Sequence, residues 1–292
     1  MWLINALSRI FHFLVHLVVT VISIPLLLGI DFIFTLGNVL LPRKKHGQVS
    51  KLQTLPLWPK HEPPTPADSR SPCVALNMLA NHGVIARSGR GIPFTVLEKA
   101  VRQTYNTSPT FARLVTKYAA DMLGRDFKRD TLDLSDLCVH NGIEHDASFT
   151  RLDTALQHDQ SKPNQDLVEF VLSSATGKDK NGRPRLTTGD LIRISTTRRA
   201  DSRSVNSQYT QSGFHKLVGS SNRATLTNIF GGSIDDLTTI LREERLPHNW
   251  EPSNRSQFGV TIATLNLTVF AVELGIKEER GPRRIKLAGD EL

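Results

Sequence analysis

The sequence predicts a mostly α-helical, multi-helix domain carried behind an N-terminal transmembrane helix. Three observations lead to that expectation. An apolar run from Ile10 to Leu41 is interrupted by strongly polar residues only at His12, His16, Asp31 and Asn38. Beyond it, apolar residues recur at three- and four-residue spacing, as helices with one buried face require. No segment of any length alternates polar and apolar residues as a half-buried strand does.

Residues 1–45 read as a membrane anchor. A helix needs about 20 apolar residues to cross a bilayer core, and Ile10 to Ile30 supplies them. Pro25 would kink that helix. A cleaved signal peptide and a buried core helix compete with this reading. The run outlasts a signal peptide's apolar region, and no clear small-residue cleavage site follows it. Residues 46–70 read as a linker. Pro56, Pro59, Pro63, Pro64 and Pro66, with Pro72 just beyond, favour extended, semi-rigid chain that separates the anchor from the folded domain. That domain is expected over residues 71–276, with a basic tail at 277–292. Leu97, Ala100, Val101, Thr104 and Tyr105 follow helical spacing, as do Phe111, Leu114, Val115, Tyr118, Ala119 and Met122. Ser108-Pro109 opens the second of these and Gly124 closes it. Further helices are expected over Leu167–Leu172, Leu191–Arg199, Ala224–Phe230, Ile234–Glu244 and Phe258–Leu274. Ser233 and Asp236 read as a capping pair before Ile234, and Lys178–Arg185 as a polar loop with a short hairpin.

At 292 residues the chain can hold one domain with a sizeable core plus an appendage. Its 39% hydrophobic and 22% charged content is ordinary for a globular protein. The net charge of +8 is spread along the chain in small clusters, with no zinc-finger or RNP-type pattern. That argues against nucleic acid as a partner. With two cysteines, Cys73 and Cys138, a metal on the first leaves the second unpaired, so the fold does not rest on a disulfide.

The chemistry starts at Cys73, directly after Pro72. Val-Ala-Leu-Asn-Met-Leu-Ala follows as a helix-favouring run, and Gly83 is a good C-terminal stop. Cys73 therefore belongs at a helix N-terminus, where free amides and the macrodipole favour a thiolate. One thiolate with no second cysteine nearby does not make a zinc cage or an iron–sulfur cluster; it suits the axial position of a haem. An inert buried cysteine fits the same residues equally well. The second stretch is His140-Asn141-Gly142-Ile143-Glu144-His145-Asp146-Ala147-Ser148-Phe149-Thr150-Arg151. Its carboxylate and hydroxyl oxygens suit a hard cation such as Mg²⁺ or Mn²⁺; a polar surface loop is the plainer reading.

Pro-Cys-Val-Ala-Leu-Asn-Met-Leu-Ala-Asn-His-Gly resembles the proximal-ligand segment of the fungal haem-thiolate peroxidases, the chloroperoxidase family with its peroxygenase relatives. Val74 stands where that family has a second proline. The second stretch resembles the family's Glu-His-Asp motif with its following serine. Arg242-Glu243-Glu244-Arg245-Leu246-Pro247 with Trp250 is similar to the segment that ends a late helix in the family; by itself it would read as a solvated charged end. The resemblance covers about Ser71 to Gly275. It implies haem b on Cys73, and a divalent cation on Glu144 and Ser148, with the His145 carbonyl as a third ligand, beside a haem propionate. It also implies a distal role for the His145 imidazole, with Asp146 hydrogen-bonded to it.

One family residue is missing. An acid–base glutamate is expected before a helix ending near Phe-Gly, and counting back from Phe230 puts Asn222 at that position. No acidic residue lies between Asp201 and Asp235. An amide cannot relay a proton, so acid–base work falls to His145, His215 or water. The resemblance implies peroxide-dependent oxidation of a small organic substrate, as a tailoring step of fungal secondary metabolism. The alternatives are a membrane-anchored haem-binding protein with little peroxidase activity, and a plain membrane-bound interaction protein. An endomembrane location, in the endoplasmic reticulum, is expected from the ending Gly289-Asp290-Glu291-Leu292 and from sequons at Asn106, Asn254 and Asn266. Arg43-Lys44-Lys45 pulls the orientation the other way.

Overall fold

The computed structural model describes residues 23–47, 49 and 58–278. The outer part of the expected anchor, residues 48 and 50–57 of the linker, and residues 279–292 of the tail, with Gly289-Asp290-Glu291-Leu292, lie outside them. Among the described residues there are nine α-helices. They are α1 (Ser23–Leu40), α2 (Val74–Asn81), α3 (Phe94–Tyr105), α4 (Pro109–Met122), α5 (Gln165–Ser173), α6 (Thr188–Val205), α7 (Gly213–Asn228), α8 (Ile234–Glu243) and α9 (Ile262–Gly275). Among the same residues, sheet is confined to two antiparallel ribbons, β1 (Ile92–Pro93) with β2 (Thr131–Leu132) and β3 (Gly177–Lys178) with β4 (Pro184–Arg185).

Local chemistry explains most helix starts. Pro109 sits in the first turn of α4, and Ser108 Oγ accepts the Phe111 amide. Thr187 and Asp190 form a reciprocal capping box on α6. Buried faces then assemble the layers. α9 packs on α7 and α6, α3 on α4, and α5 on α8. Leu97, Val168, Leu191, Leu237, Ile240 and Val269 belong to one continuous core.

Three local expectations are corrected. α7 begins at Gly213, well before Ala224, because Ser212 caps it by accepting the His215 amide. α9 begins at Ile262 rather than Phe258, where Thr261 and Thr264 close a capping box. Ser233 precedes α8 but makes no side-chain cap bond; its backbone instead bridges Arg185.

α1 is long and apolar enough to cross a bilayer. Ser23 to Ile30 are almost wholly exposed, but from Asp31 onward one face turns into the domain. Asp31 is 1% exposed. It accepts the amides of Ile262 (3.1 Å) and Ala263 (2.9 Å) and the hydroxyls of Ser108 (3.4 Å) and Thr110. Those amides open α9, so Asp31 caps that helix from a distant part of the chain. Thr35 donates to Thr261 (2.8 Å), and Asn38 bonds Gly259 and Phe258. Phe34 stacks on Phe258 at 4.8 Å. Residues 31, 34, 35 and 38 share one helical face. Residues 31–40 are thus part of the domain rather than held away from it.

The stretch 58–70 is likewise pinned to the domain at its ends, with Trp58, Ser69 and Arg70 buried and residues 62–67 exposed. Trp58 is buried, its indole N–H donating to the Trp250 carbonyl (3.0 Å). Of the sequons, Asn106 is buried in left-handed backbone (φ 47°). Its amide donates to the carbonyls of Asn254 and Ser256 and accepts from Lys44, which leaves no nitrogen for a glycan.

Candidate active site

Cys73 is the N-cap of α2, in extended backbone (φ −85°, ψ 107°). Its N–H donates to Ser71 Oγ (3.2 Å), and its carbonyl accepts the first helical bond, from the Asn77 amide (3.1 Å). The sulfur makes no cap bond and faces a cavity. Burial pushes the Cys73 thiol up, while the Leu76 and Ala75 amides pull it down. The helix end therefore favours the thiolate as expected, but in the chain alone it is outweighed; a bound cation would tip the balance.

The rest of the cysteine motif holds this loop still. Asn77 Oδ1 accepts the Ser71 amide (2.9 Å), and Nδ2 donates to the Ser71 carbonyl (2.8 Å) and to the Glu244 carboxylate (3.0 Å). Glu244 follows α8 in left-handed backbone (φ 47°), which turns the chain inward. Its carboxylate pairs with Arg151 at 2.6 Å, both side chains buried. Asn81 donates to the Glu244 carbonyl (3.1 Å) and accepts from Arg70 (2.7 Å). His82 Nδ1 meets the Pro59 carbonyl (2.6 Å), and Nε2 accepts the Leu246 amide (3.0 Å). Both ring nitrogens are engaged, so His82 is structural.

In the second stretch, His140, Glu144 and Asp146 converge, their ligand-capable atoms within 4.8 Å of one another. His140 Nδ1 bonds Glu144 Oε2 at 2.6 Å. Glu144 Oε1 and Asp146 Oδ1 are buried without a hydrogen-bond partner. Burial raises both carboxyls above their ordinary values. Partnerless buried oxygens of this kind suit a cation. Ser148 lines the cavity with Glu144, its Oγ accepting only a long bond from the Thr150 amide (3.5 Å). His140 was not singled out from the sequence, although its four-residue spacing to Glu144 was the available signal.

Asp146 departs from expectation. Its carboxylate accepts the Thr210 amide (2.8 Å), and it is the Asp146 carbonyl that meets His145 Nδ1 (2.8 Å). A carbonyl can only accept, so Nδ1 carries the proton and Nε2 the lone pair. Asn222 Nδ2, on α7, lies 3.3 Å from Nε2 and donates into that lone pair. Gly219, one turn earlier, leaves room for the ring, since a Cβ there would stand 3.0 Å from His145 Cε1. Burial, reinforced by the Arg223 charge, lowers the imidazole to about 4. His215 points elsewhere: Nε2 meets the Asn141 carbonyl and Nδ1 the Ser212 hydroxyl, each at 2.9 Å.

One cavity, about 1020 Å³ counted with its mouth, has Cys73, Glu144, His145, Ser148 and Asn222 on its wall. Asp146 and His215 are not on it. Ile143, Phe149, Leu226, Ile229 and Phe230 make much of the remainder apolar. Arg223 also lines it, buried, with no signal in the sequence pattern. Over 97 residues the chain is 37% identical to a chloroperoxidase of Leptoxyphium fumago, a match covering 31% of this chain and 25% of that protein. The chain thus spans about a quarter of that relative's length. A family model described as "Peroxidase, family 2" matches residues 59–255, which takes in the cysteine loop, the Glu144–Ser148 loop, Asn222 and the end of α8. That match extends over more than half of the sequence, and the chain belongs to peroxidase family 2.

Proposed function

We propose that the chain is a haem-thiolate peroxidase that oxidises a small organic substrate with H₂O₂, in which Cys73 would hold the iron of haem b. One observation carries the reading: the Cys73 sulfur, met by backbone amides of the first turn of α2, lines the same cavity as His145 and Asn222. The residues fit the group. The cavity is largely apolar-walled, as ligand sites are, with a lone sulfur at a helix head. Glu144 and Ser148, with the His145 carbonyl, would hold Mg²⁺ or Mn²⁺; the partnerless Glu144 Oε1 supports that. When bound, the iron porphyrin supplies the O–O cleavage and electron-transfer chemistry that side chains lack.

The chain's own groups manage the proton. His145 is neutral at neutral pH, with Nδ1–H fixed on the Asp146 carbonyl. An imidazole at about 4 has nearly the proton affinity of an ordinary glutamate, about 4.3. Nε2 can therefore take a peroxide proton and return it. Asn222 opposes this, because its N–H already occupies the lone pair and its amide cannot accept the proton itself. Peroxide must displace that bond first, so turnover is slow. The same bond favours a second reading, a haem-binding protein with little peroxidase activity that serves as a carrier, scaffold or sensor.

Membrane attachment through α1 is part of the proposal. The span would lie on the N-terminal side of Asp31, since from there on one face of the helix is taken up by the domain. A tailoring role in fungal secondary metabolism, and residence in the endoplasmic reticulum, complete the reading. The test is spectroscopic. Cys73→Ala should abolish the red-shifted band of the ferrous carbon monoxide adduct while Cys138→Ser keeps it; a Cys73→Ala protein that retains the band removes the proposal. Peroxide turnover with a generic phenol separates enzyme from carrier.

A further inference from the structure

We infer that Arg223 makes this cavity a carboxylate-binding site, with the guanidinium receiving the acid group of an otherwise apolar ligand. Arg223 lies on α7 directly after Asn222 and is 2% exposed. Nη2 donates to the Ala147 carbonyl (3.0 Å), and the guanidinium carbon lies 4.9 Å from the Phe149 ring centroid. Nη1 is buried and has no partner, in a side chain that lines the cavity. Neighbouring arginines are matched: Arg198 by Asp201 and Asp153, Arg199 by Glu273 and Glu278. Among the described residues no carboxylate comes within ion-pair distance of Arg223.

A buried cation without an acid is costly to maintain. The planar fork of a guanidinium matches the two oxygens of a carboxylate. Here one nitrogen of the fork is fixed on Ala147 and Nη1 is left without an acceptor. Phe149, Leu226, Ile229 and Phe230 would enclose a hydrocarbon body. The ligand class that meets both demands is an aromatic or aliphatic monocarboxylate. The same chemistry could come from a haem propionate or from the organic substrate. The inference rests on the proposed role of this cavity, but it concerns binding and is read without turnover.

The test is calorimetric titration of the full chain in detergent, before haem loading, with benzoate and with its uncharged isostere benzamide. Wild type should bind benzoate at least about tenfold more tightly than benzamide, a difference typical of a charge-assisted pair. Arg223→Met should bind the two alike, and Arg223→Lys should keep part of the preference. Should Arg223→Met fail to fold, the wild-type and lysine titrations and the benzoate-induced rise in melting temperature decide alone. Equal binding by wild type, or a preference that survives in Arg223→Met, overturns the inference. Repeating the titration on haem-loaded chain assigns the source. A persisting benzoate preference, with haem dimethyl ester bound as well as haem, indicates the substrate. Loss of that preference, with the ester bound as weakly as haem is by Arg223→Met, indicates the propionate. A wild type that binds haem normally but shows no preference for benzoate would leave the peroxidase reading standing by itself.

Discussion

Replacing Asp31 with alanine removes the acceptor of four donors at once. The Ile262 and Ala263 amides lose bonds of 3.1 and 2.9 Å in a site closed to water. The Ser108 and Thr110 hydroxyls can turn to each other, since their oxygens already lie 2.7 Å apart. Two amides are thus left without a partner. A hydrogen bond to a charged acceptor contributes about 1.5–3 kcal/mol, and bonds sharing one group do not add fully, so the loss should be about 3–4 kcal/mol. For a domain of this size that corresponds to roughly 10 °C in melting temperature. Asp31→Asn keeps Oδ1, and with it Ile262 and both hydroxyls, and should lose only about 1 kcal/mol. The assay is thermal unfolding followed by circular dichroism in detergent micelles. Alanine is more apolar than aspartate, so membrane insertion should not suffer and a fall in melting temperature reports the domain. An Asp31→Ala protein melting within about 2 °C of wild type would refute the capping of α9 by α1.

Asn222→Glu should speed peroxide consumption by about 10²–10⁴-fold, and Asn222→Ala should give a smaller gain by freeing His145 Nε2; stopped-flow absorbance reads both, and a fast wild type slowed by either change opposes the masking argument. Glu244→Gln leaves the Arg151 charge buried without an anion and should cost about 3–5 kcal/mol in urea unfolding, most of it recovered when Arg151→Met is added. Acid should weaken the link between α6 and the chain after α9. Burial alone would raise Glu278, but hydrogen bonds from Arg203 and Lys216 hold it at about 2, against an ordinary value of 4.5. A depressed carboxyl stabilises the fold above 4.5 and loses that contribution as pH falls towards 2. Wild type should therefore lose more stability over that window than Glu278→Gln, as measured by urea midpoints.

The parts of the fold legible in the sequence are those written in local chemistry. α4 announces itself through Ser108, Pro109 and Gly124, and α8 through the spacing of Leu237, Ile240 and Leu241. α2 with Cys73 at its head was legible for the same reason. The first turns of α7 were not, because Gly219 and Ser220 answer to distant partners. The glycine makes room for His145, and the serine donates to Glu273 (2.6 Å). Within the site, the nearness of Asn222 to His145 was expected only through the family resemblance. The bond from His145 to the Asp146 carbonyl was not expected, since spacing cannot tell a side chain from its own backbone. Glu244 looked like one charge in the solvated run Arg242–Arg245; only its left-handed turn carries it inside. Arg223 and Asp31 share that character: a charge in a sequence pattern says nothing of what faces it.

The network behind Cys73 also has a timing. Asn77 and Glu244 are 167 positions apart, and Arg151 and Glu244 are 93 apart. Such pairs close long loops, and their entropic cost must be met before the bonds contribute, so they form late in folding. α3 and α4, neighbours in sequence and in space, need no such closure. Pulse alkylation during refolding of a Cys138→Ser chain should find the Cys73 thiol reactive until the slowest phase ends. The residue met early on the chain is among the last to be fixed in position.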